Sequence, residues 1–226
     1  MAMKQLMLEA GTPTINEVPL PSCAPGMVLV RTHYSFVSSG TESATIAATE
    51  GSLATKFLRN VSGNITKIGT SIKENGVAGT LALISGKRYQ LLEMGYSCSG
   101  QVIAIGAAVK EFAVGDYVAC GGAGFASHAE IVAVPKHLVA RLSSNKYLKE
   151  ASITTIGAIA LQGVRRSAPQ LGESVVVIGL GLIGLITVQL LKQSGCFVIG
   201  IDVAPDRLAL AKEHGCNVVY AADDEV

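Results

Sequence analysis

The sequence predicts an α/β chain with a β-rich half, in which a β domain is followed by part of a doubly wound parallel sheet. Three observations carry this. Up to about Leu142 the apolar residues fall in short β-rich runs punctuated by Gly and Pro. From about Tyr147 the pattern switches to alternating helix and strand. Within that second part, Val175 to Ile178 leads straight into Gly179, Gly181 and Gly184, and a second apolar run, Phe197 to Ile201, ends in Asp202.

Taken in order, the expected strands of the first part are Lys4 to Leu8, Met27 to Tyr34, Ser99 to Ile105, Tyr117 to Cys120 and His128 to Val134. Pro25-Gly26 and Val114-Gly115-Asp116 supply turns ahead of two of them. Thr41 to Arg88 lacks strand alternation and carries Lys56, Arg59, Lys67, Lys73, Lys87 and Arg88. It reads as an inserted helical segment, residues 41–94, whose basic side chains form a solvated face. In the second part, helix is expected over Lys149 to Arg166, Leu182 to Gln193 and Ala204 to His214. Strands are expected over Val175 to Ile178, Phe197 to Ile201 and Asn217 to Tyr220. The expected domains are residues 1–145 and 146–226.

Strand, glycine turn, helix, strand and acidic residue form the layout that holds the pyrophosphate and ribose of a dinucleotide. Gly179 permits a tight turn off the strand, and the lack of a side chain at Gly181 lets backbone approach phosphate. Gly184 lets the following helix pack closely on the strand. The backbone of Leu180, Leu182 and Ile183 then faces the anion, with the positive end of the helix dipole behind it. Asp202 is expected to accept hydrogen bonds from both ribose hydroxyls, which favours NAD over NADP because a 2′-phosphate would meet a carboxylate. Arg207 stands where it could lie against the adenosine ribose; as a plain surface arginine it would do nothing there. Two other readings compete. A transmembrane helix over Val175 to Leu191 is disfavoured by the glycines, Gln189 and Lys192, since a span needs about 20 apolar residues. A buried strand–helix–strand unit with no ligand is the second.

Composition narrows the rest. The chain has 226 residues, 49% hydrophobic and 15% charged, with a net charge of +1. Most segments are therefore expected to be buried, and no electrostatic case exists for nucleic acid or an anionic membrane as partner. No signal peptide is evident, because Met1 to Ala10 is followed by Gly11 and Pro13 and contains Glu9. Five scattered cysteines with no C-x-x-C fit a reduced cytoplasmic compartment.

The order of parts resembles the medium-chain dehydrogenase/reductase superfamily, whose members join a GroES-like β domain to a Rossmann domain. The pieces that carry the resemblance are SSGTE (Ser38 to Glu42), GYSCSGQVIAIG (Gly95 to Gly106), VGDYVAC (Val114 to Cys120) and ASHAEIVAVP (Ala126 to Pro135). GAIALQGV, GLGLIG and ID-x-x-x-x-RL complete the set. The chain is similar in particular to the N-terminal halves of bacterial two-part oxidoreductases associated with surface-polysaccharide biosynthesis. The resemblance implies an oxidoreductase that transfers hydride between a nicotinamide and an alcohol, sugar or carbonyl, a small-molecule substrate and a homo-oligomer as one option.

Zinc alcohol dehydrogenases of this superfamily place a Cys, a His-Glu pair and a third ligand at positions that fall here on Ser39, on Tyr96-Ser97 and near Ile156. Serine, tyrosine and isoleucine do not make a tetrahedral zinc site. No four-cysteine lobe is present for a structural zinc either, so no zinc is expected. Glu42 matches an acid that supports the metal ligands, and without those ligands it holds nothing. The family's pocket positions then assign the proton chemistry to hydroxyls: Tyr96 as donor, Thr41 as relay and Ser39 beside them. The relay histidine of some relatives falls on Ala44. Ser39 and Thr41 could instead only cap a helix, and Tyr96 could be a core aromatic. His128 stands near the expected pocket strands and reads as structural.

A full Rossmann sheet has six strands. This sequence supplies the first three and stops at Ala221 to Val226. The expectation is a fragment whose C-terminal half belongs to the same polypeptide, with an apolar sheet edge and poor solubility alone. Two alternatives stand beside the zinc-independent oxidoreductase: a non-catalytic nucleotide-binding or interaction module, and a zinc-dependent alcohol dehydrogenase.

Overall fold

The computed structural model describes residues 2–9, 11–49 and 91–222. Most of the segment expected as a helical insertion, residues 50–90, lies outside them. The chain divides into two compact units, residues 1–152 and 153–226.

In the first unit, β1 (Ala2–Glu9), β2 (Thr12–Pro19) and β4 (Leu92–Glu93) form a sheet in the order β2-β1-β4. A five-stranded antiparallel sheet contains β3 (Met27–Ser35), β5 (Ser97–Ile105), β6 (Tyr117–Gly121), β7 (Ile131–Pro135) and β8 (Val139–Arg141), in the order β7-β3-β5-β6-β8. Among the described residues an isolated bridge, Gln5 to Ala129, joins the two sheets. Val28, Val30, Val102, Val118 and Val134 are almost wholly buried and form the core, with Cys98 and Cys120 directly opposite each other across β5 and β6. The Cys98 thiol beside it pushes the Cys120 thiol far up, so Cys120 stays protonated and apolar in character.

Sequence patterning misses β2, β4 and β8, and β4 is a strand within the residues 41–94 expected to be helical, drawn into pairing with β1. β2 carries Pro13, Asn16 and Pro19 and is tolerated because it is an edge strand, where a missing donor faces no partner. The expected strand over His128 to Val134 begins only at Ile131, because Ala129 bridges Gln5 of β1 and His128 bonds to Leu6 and Met94. α1 (Ser39–Thr49) follows β3 directly. The helix expected over Lys149 to Arg166 is broken in two, α2 (Leu148–Ala151) and α3 (Thr154–Ser167). Ser152 makes the break: its hydroxyl donates to the Lys149 carbonyl at 2.7 Å, the local competition that serines offer a helix. Leu148 and Ala151 are buried in the first unit, which therefore ends at Ser152.

The second unit is a parallel sheet of β9 (Ser174–Ile178), β10 (Phe197–Asp202) and β11 (Val218–Ala221) in the order β11-β10-β9. α4 (Leu182–Gln193) and α5 (Pro205–Glu213) make the crossovers. Val177, Leu180, Val188, Leu191, Val198 and Ala211 form its core. Pro205 opens α5 at a position whose N–H has no helical partner in any case.

Candidate functional site

The glycine turn between β9 and α4 is built by three local requirements. Gly179 has φ +88°, a left-handed value that disfavours any side chain, and its N–H donates to the Ile201 carbonyl at 2.8 Å. Gly181 precedes α4 in extended conformation. A Cβ placed on Gly184 would lie 2.0 Å from the Gly179 carbonyl oxygen, so the helix reaches the turn only with glycine there. By contrast, a Cβ on Gly179 or Gly181 meets nothing within 4 Å. The space over the turn is open where a phosphate would sit, and the first N–H groups of α4 have no partner within the helix. These residues fit a dinucleotide.

Asp202 is placed otherwise than as a ribose acceptor. Its side chain is 3% exposed. Oδ2 accepts the Leu180 N–H at 2.6 Å and Oδ1 accepts the Ala204 N–H at 2.9 Å. The Arg207 guanidinium, half-exposed, stands 3.5 Å from Oδ2. The Ala204 N–H first, then that of Leu180, with Arg207 adding to them, holds the carboxyl below its ordinary range. Asp202 thus clasps the glycine turn to the end of β10. Leu180 is the other half of the clasp: its side chain is fully buried and its N–H is occupied by the carboxylate. Leu182 and Ile183 present their side chains half-exposed at the start of α4.

In the first unit the structure gathers a cluster that spacing alone does not reveal. Ser39 and Thr41 lie exposed in the first turn of α1. Ser38 precedes that turn, and its hydroxyl donates to Thr41 Oγ1 at 3.2 Å. Glu42, one position further, turns inward and is buried. Its Oε1 accepts the Ser38 N–H at 3.0 Å and lies 3.1 Å from His128 Nε2. The other ring nitrogen, Nδ1, is 2.9 Å from Ser35 Oγ. Gly95 covers the imidazole: with φ +89°, it leaves no room for a Cβ, which would fall 2.8 Å from the ring. Tyr96 follows directly, half-buried at the start of β5, with its carbonyl accepting the Gly122 N–H. The segments carrying Ser39, Thr41 and Tyr96 therefore converge on one buried pair, Glu42 and His128. The sequence signal for it is weak: an acid matching a metal-supporting position and a histidine without metal-ligand spacing.

Ser97 is fully buried, with its hydroxyl donating to the Ser152 carbonyl at 2.6 Å. Ser99 does the same for Leu148. These bonds tie α2 to β5. Ser97→Ala is expected to lower stability by about 1–2 kcal/mol, measured by denaturant unfolding, because it strands a buried carbonyl. Among the described residues no three His, Cys, Asp or Glu side chains lie close enough together to hold a metal ion. Ser39, Tyr96 and Ile156 supply none of the thiolate or imidazole donors zinc prefers, and these residues do not fit that metal.

The fold matches that of dehydrogenase-like chains: a GroES-like β unit followed in sequence by a unit of Rossmann type. The chain is similar in sequence to proteins that include zinc-type alcohol dehydrogenase-like ones. Residues 175–225 match the TrkA-N domain model. A D-guloside 3-dehydrogenase of Shigella flexneri is 33% identical over 133 residues, covering 58% of this chain and 38% of that protein. An (R,R)-butanediol dehydrogenase of Bacillus subtilis is 28% identical over 153 residues, covering 56% of this chain and 43% of that protein. The solved structure of a quinone oxidoreductase from Coxiella burnetii shares the fold, with a TM-score of 0.71 at 21% identity over 97% of this chain and 62% of that one. The chain thus spans well under half the length of the curated relatives it matches. None of the described helices is long and apolar enough to cross a membrane.

Proposed function

We propose that this chain carries the cofactor-binding turn and the proton-handling side chains of a nicotinamide-dependent oxidoreductase acting on a small-molecule alcohol, sugar or carbonyl, without zinc. The observation that carries the reading is the open cradle over Gly179 and Gly181 at the start of α4, locked by Asp202 and Gly184. The relatives named dehydrogenases support the reaction class. When bound, the nicotinamide would exchange a hydride with the substrate carbon. The chain's own contribution is to hold the pyrophosphate on the N–H groups around Gly181, Leu182 and Ile183 and to supply or remove a proton. Thr41, Ser39 and Tyr96 are the hydroxyls assigned to the substrate side, on the segments that meet at Glu42 and His128. NAD is the assigned cofactor on the sequence pattern of an acid at the end of β10; the carboxylate itself, held by the Leu180 and Ala204 N–H groups, serves the turn. Five cysteines without disulfides suit a reducing, cytoplasmic compartment.

Calorimetric titration of NADH and NADPH into the full-length protein tests this reading. Binding of NADH with the weaker binding of NADPH, followed by turnover in a screen of sugars and secondary alcohols on dialysed, metal-free protein, is the expected result. Failure to bind either dinucleotide would remove the cofactor assignment. Binding without turnover would leave a nucleotide-binding module, and activity that returns only with added zinc would restore the metal.

A further inference from the structure

We propose that Ser35, His128 and Glu42 form a proton relay, with His128 as the group that stores the proton, Glu42 as its positioning residue and Ser35 as its outlet. The inference rests on the oxidoreductase reading above and assigns that reaction a base that no pocket hydroxyl can supply. A serine, threonine or tyrosine hydroxyl passes a proton on only if something behind it accepts one.

The geometry sets the direction of the chain. A carboxylate at Glu42 only accepts, so in the proposed relay the Nε2 facing it at 3.1 Å carries hydrogen. Neutral His128 then has its lone pair on Nδ1, and the Ser35 hydroxyl at 2.9 Å donates into it. Protonated His128 reverses this one bond: Nδ1–H donates to Ser35 Oγ, and Glu42 faces an imidazolium. The imidazole is held in this orientation by three contacts. Glu42 is itself fixed by the Ser38 N–H at 3.0 Å, and the Gly95 backbone lies against the ring. His128 N–H donates to the Met94 carbonyl at 2.8 Å, anchoring the residue to the chain just ahead of Gly95 and Tyr96. Both members of the pair are buried, while Ser35 at the end of β3 is exposed. A buried acid–imidazole pair that reaches the surface through one hydroxyl is organised for transfer through that hydroxyl.

The step is a proton transfer alone. In alcohol oxidation the substrate O–H bond breaks, a substrate-side hydroxyl takes that proton and gives its own to Ser35 Oγ, and the Ser35 proton moves to His128 Nδ1. Ser35 ends unchanged, and the imidazolium is paired with Glu42. The hydride lost from the substrate carbon is accounted for by the oxidised nicotinamide of the proposed reaction. Carbonyl reduction runs the same chain backwards.

Two measurements test the relay in the full-length protein. Nitrogen-15 spectra of the histidine rings, taken without cofactor or substrate, are expected to show neutral His128 protonated on Nε2; protonation on Nδ1 overturns the proposal. Kinetics with NAD and a panel headed by a D-guloside and (R,R)-butanediol supply the second. Ser35→Ala is expected to lower kcat by about a hundredfold with KM nearly unchanged, and Ser35→Thr to restore most of it. His128→Ala should fall similarly and recover with added imidazole. Turnover that survives Ser35→Ala within about twofold overturns the relay while leaving the oxidoreductase reading intact. Absence of turnover in the unaltered protein overturns that reading, and the relay with it.

Discussion

Replacing Gly184 by valine is expected to destabilise the nucleotide-binding unit severely and abolish dinucleotide binding. The cause is a contact with backbone rather than with a yielding side chain. Even a Cβ at this position would approach the Gly179 carbonyl oxygen to 2.0 Å and its carbon to 3.0 Å. Neither partner can move freely. Gly179 is fixed by its N–H bond to Ile201 and by its left-handed φ, and α4 is pinned behind it by Val188 and Leu191 in the core. Relief therefore requires α4 to withdraw from β9 and open the core that Leu180, Val188 and Leu191 fill. Overpacking of this kind costs about 3 kcal/mol or more when backbone must shift, against a total stability of roughly 5–15 kcal/mol for a domain. Circular dichroism melting and NADH titration of the full-length protein provide the check. A variant that melts like the parent and binds NADH would show that the approach of helix to turn is looser than the structure has it. Gly181→Ala supplies the contrast: a Cβ there meets nothing, so the fold should hold while dinucleotide binding weakens.

These two glycines show which features sequence can reveal. Gly179, Gly181 and Gly184 act within one turn, so their spacing alone announces strand, turn and helix, and α4 runs over the residues expected for it. The expected strands of both units stand within a few residues of their places, except where an edge hides them. β2 and β8 lie at sheet edges and lack strict alternation, because little of either is covered. The Glu42–His128 pair could not be read from pattern, because the partners are 86 residues apart in sequence and meet only once β3, α1 and the turn before β7 are assembled. Gly95 was a usable clue. A glycine directly ahead of a β-rich run marks a close approach of backbone to something, and here it is the imidazole. Asp202 illustrates a different gap. Its position at the end of β10 was legible; its orientation depends on the competition between a ligand hydroxyl and the N–H groups of Leu180 and Ala204, which only three-dimensional placement decides.

That competition yields a second large effect. Asp202→Ala is expected to weaken NADH and NADPH binding together, each by roughly tenfold or more, because it removes two charge-assisted bonds that hold the glycine turn. A residue that merely selected between cofactors would behave differently: its loss would weaken NADH and strengthen NADPH, as the repulsion of a 2′-phosphate disappeared. The two titrations side by side separate a clasp from a selector. Acid offers an independent check with a definite sign. The folded-state pKa of Asp202 is depressed by the Ala204 and Leu180 N–H groups and by Arg207. The clasp therefore contributes its full stability above the ordinary aspartate value, about 3.9. That stability is lost as pH falls below this value and through the lower folded one. Amide hydrogen exchange at Leu180 and Ala204, followed downward from pH 5, should quicken relative to the rest of the unit only in that acid window. In Asp202→Ala the same amides should exchange fast throughout. Exchange at Leu180 that is slow and unchanged in the alanine variant would mean that the turn is held by Gly179 and Gly184 alone, and that Asp202 is free to serve the ribose.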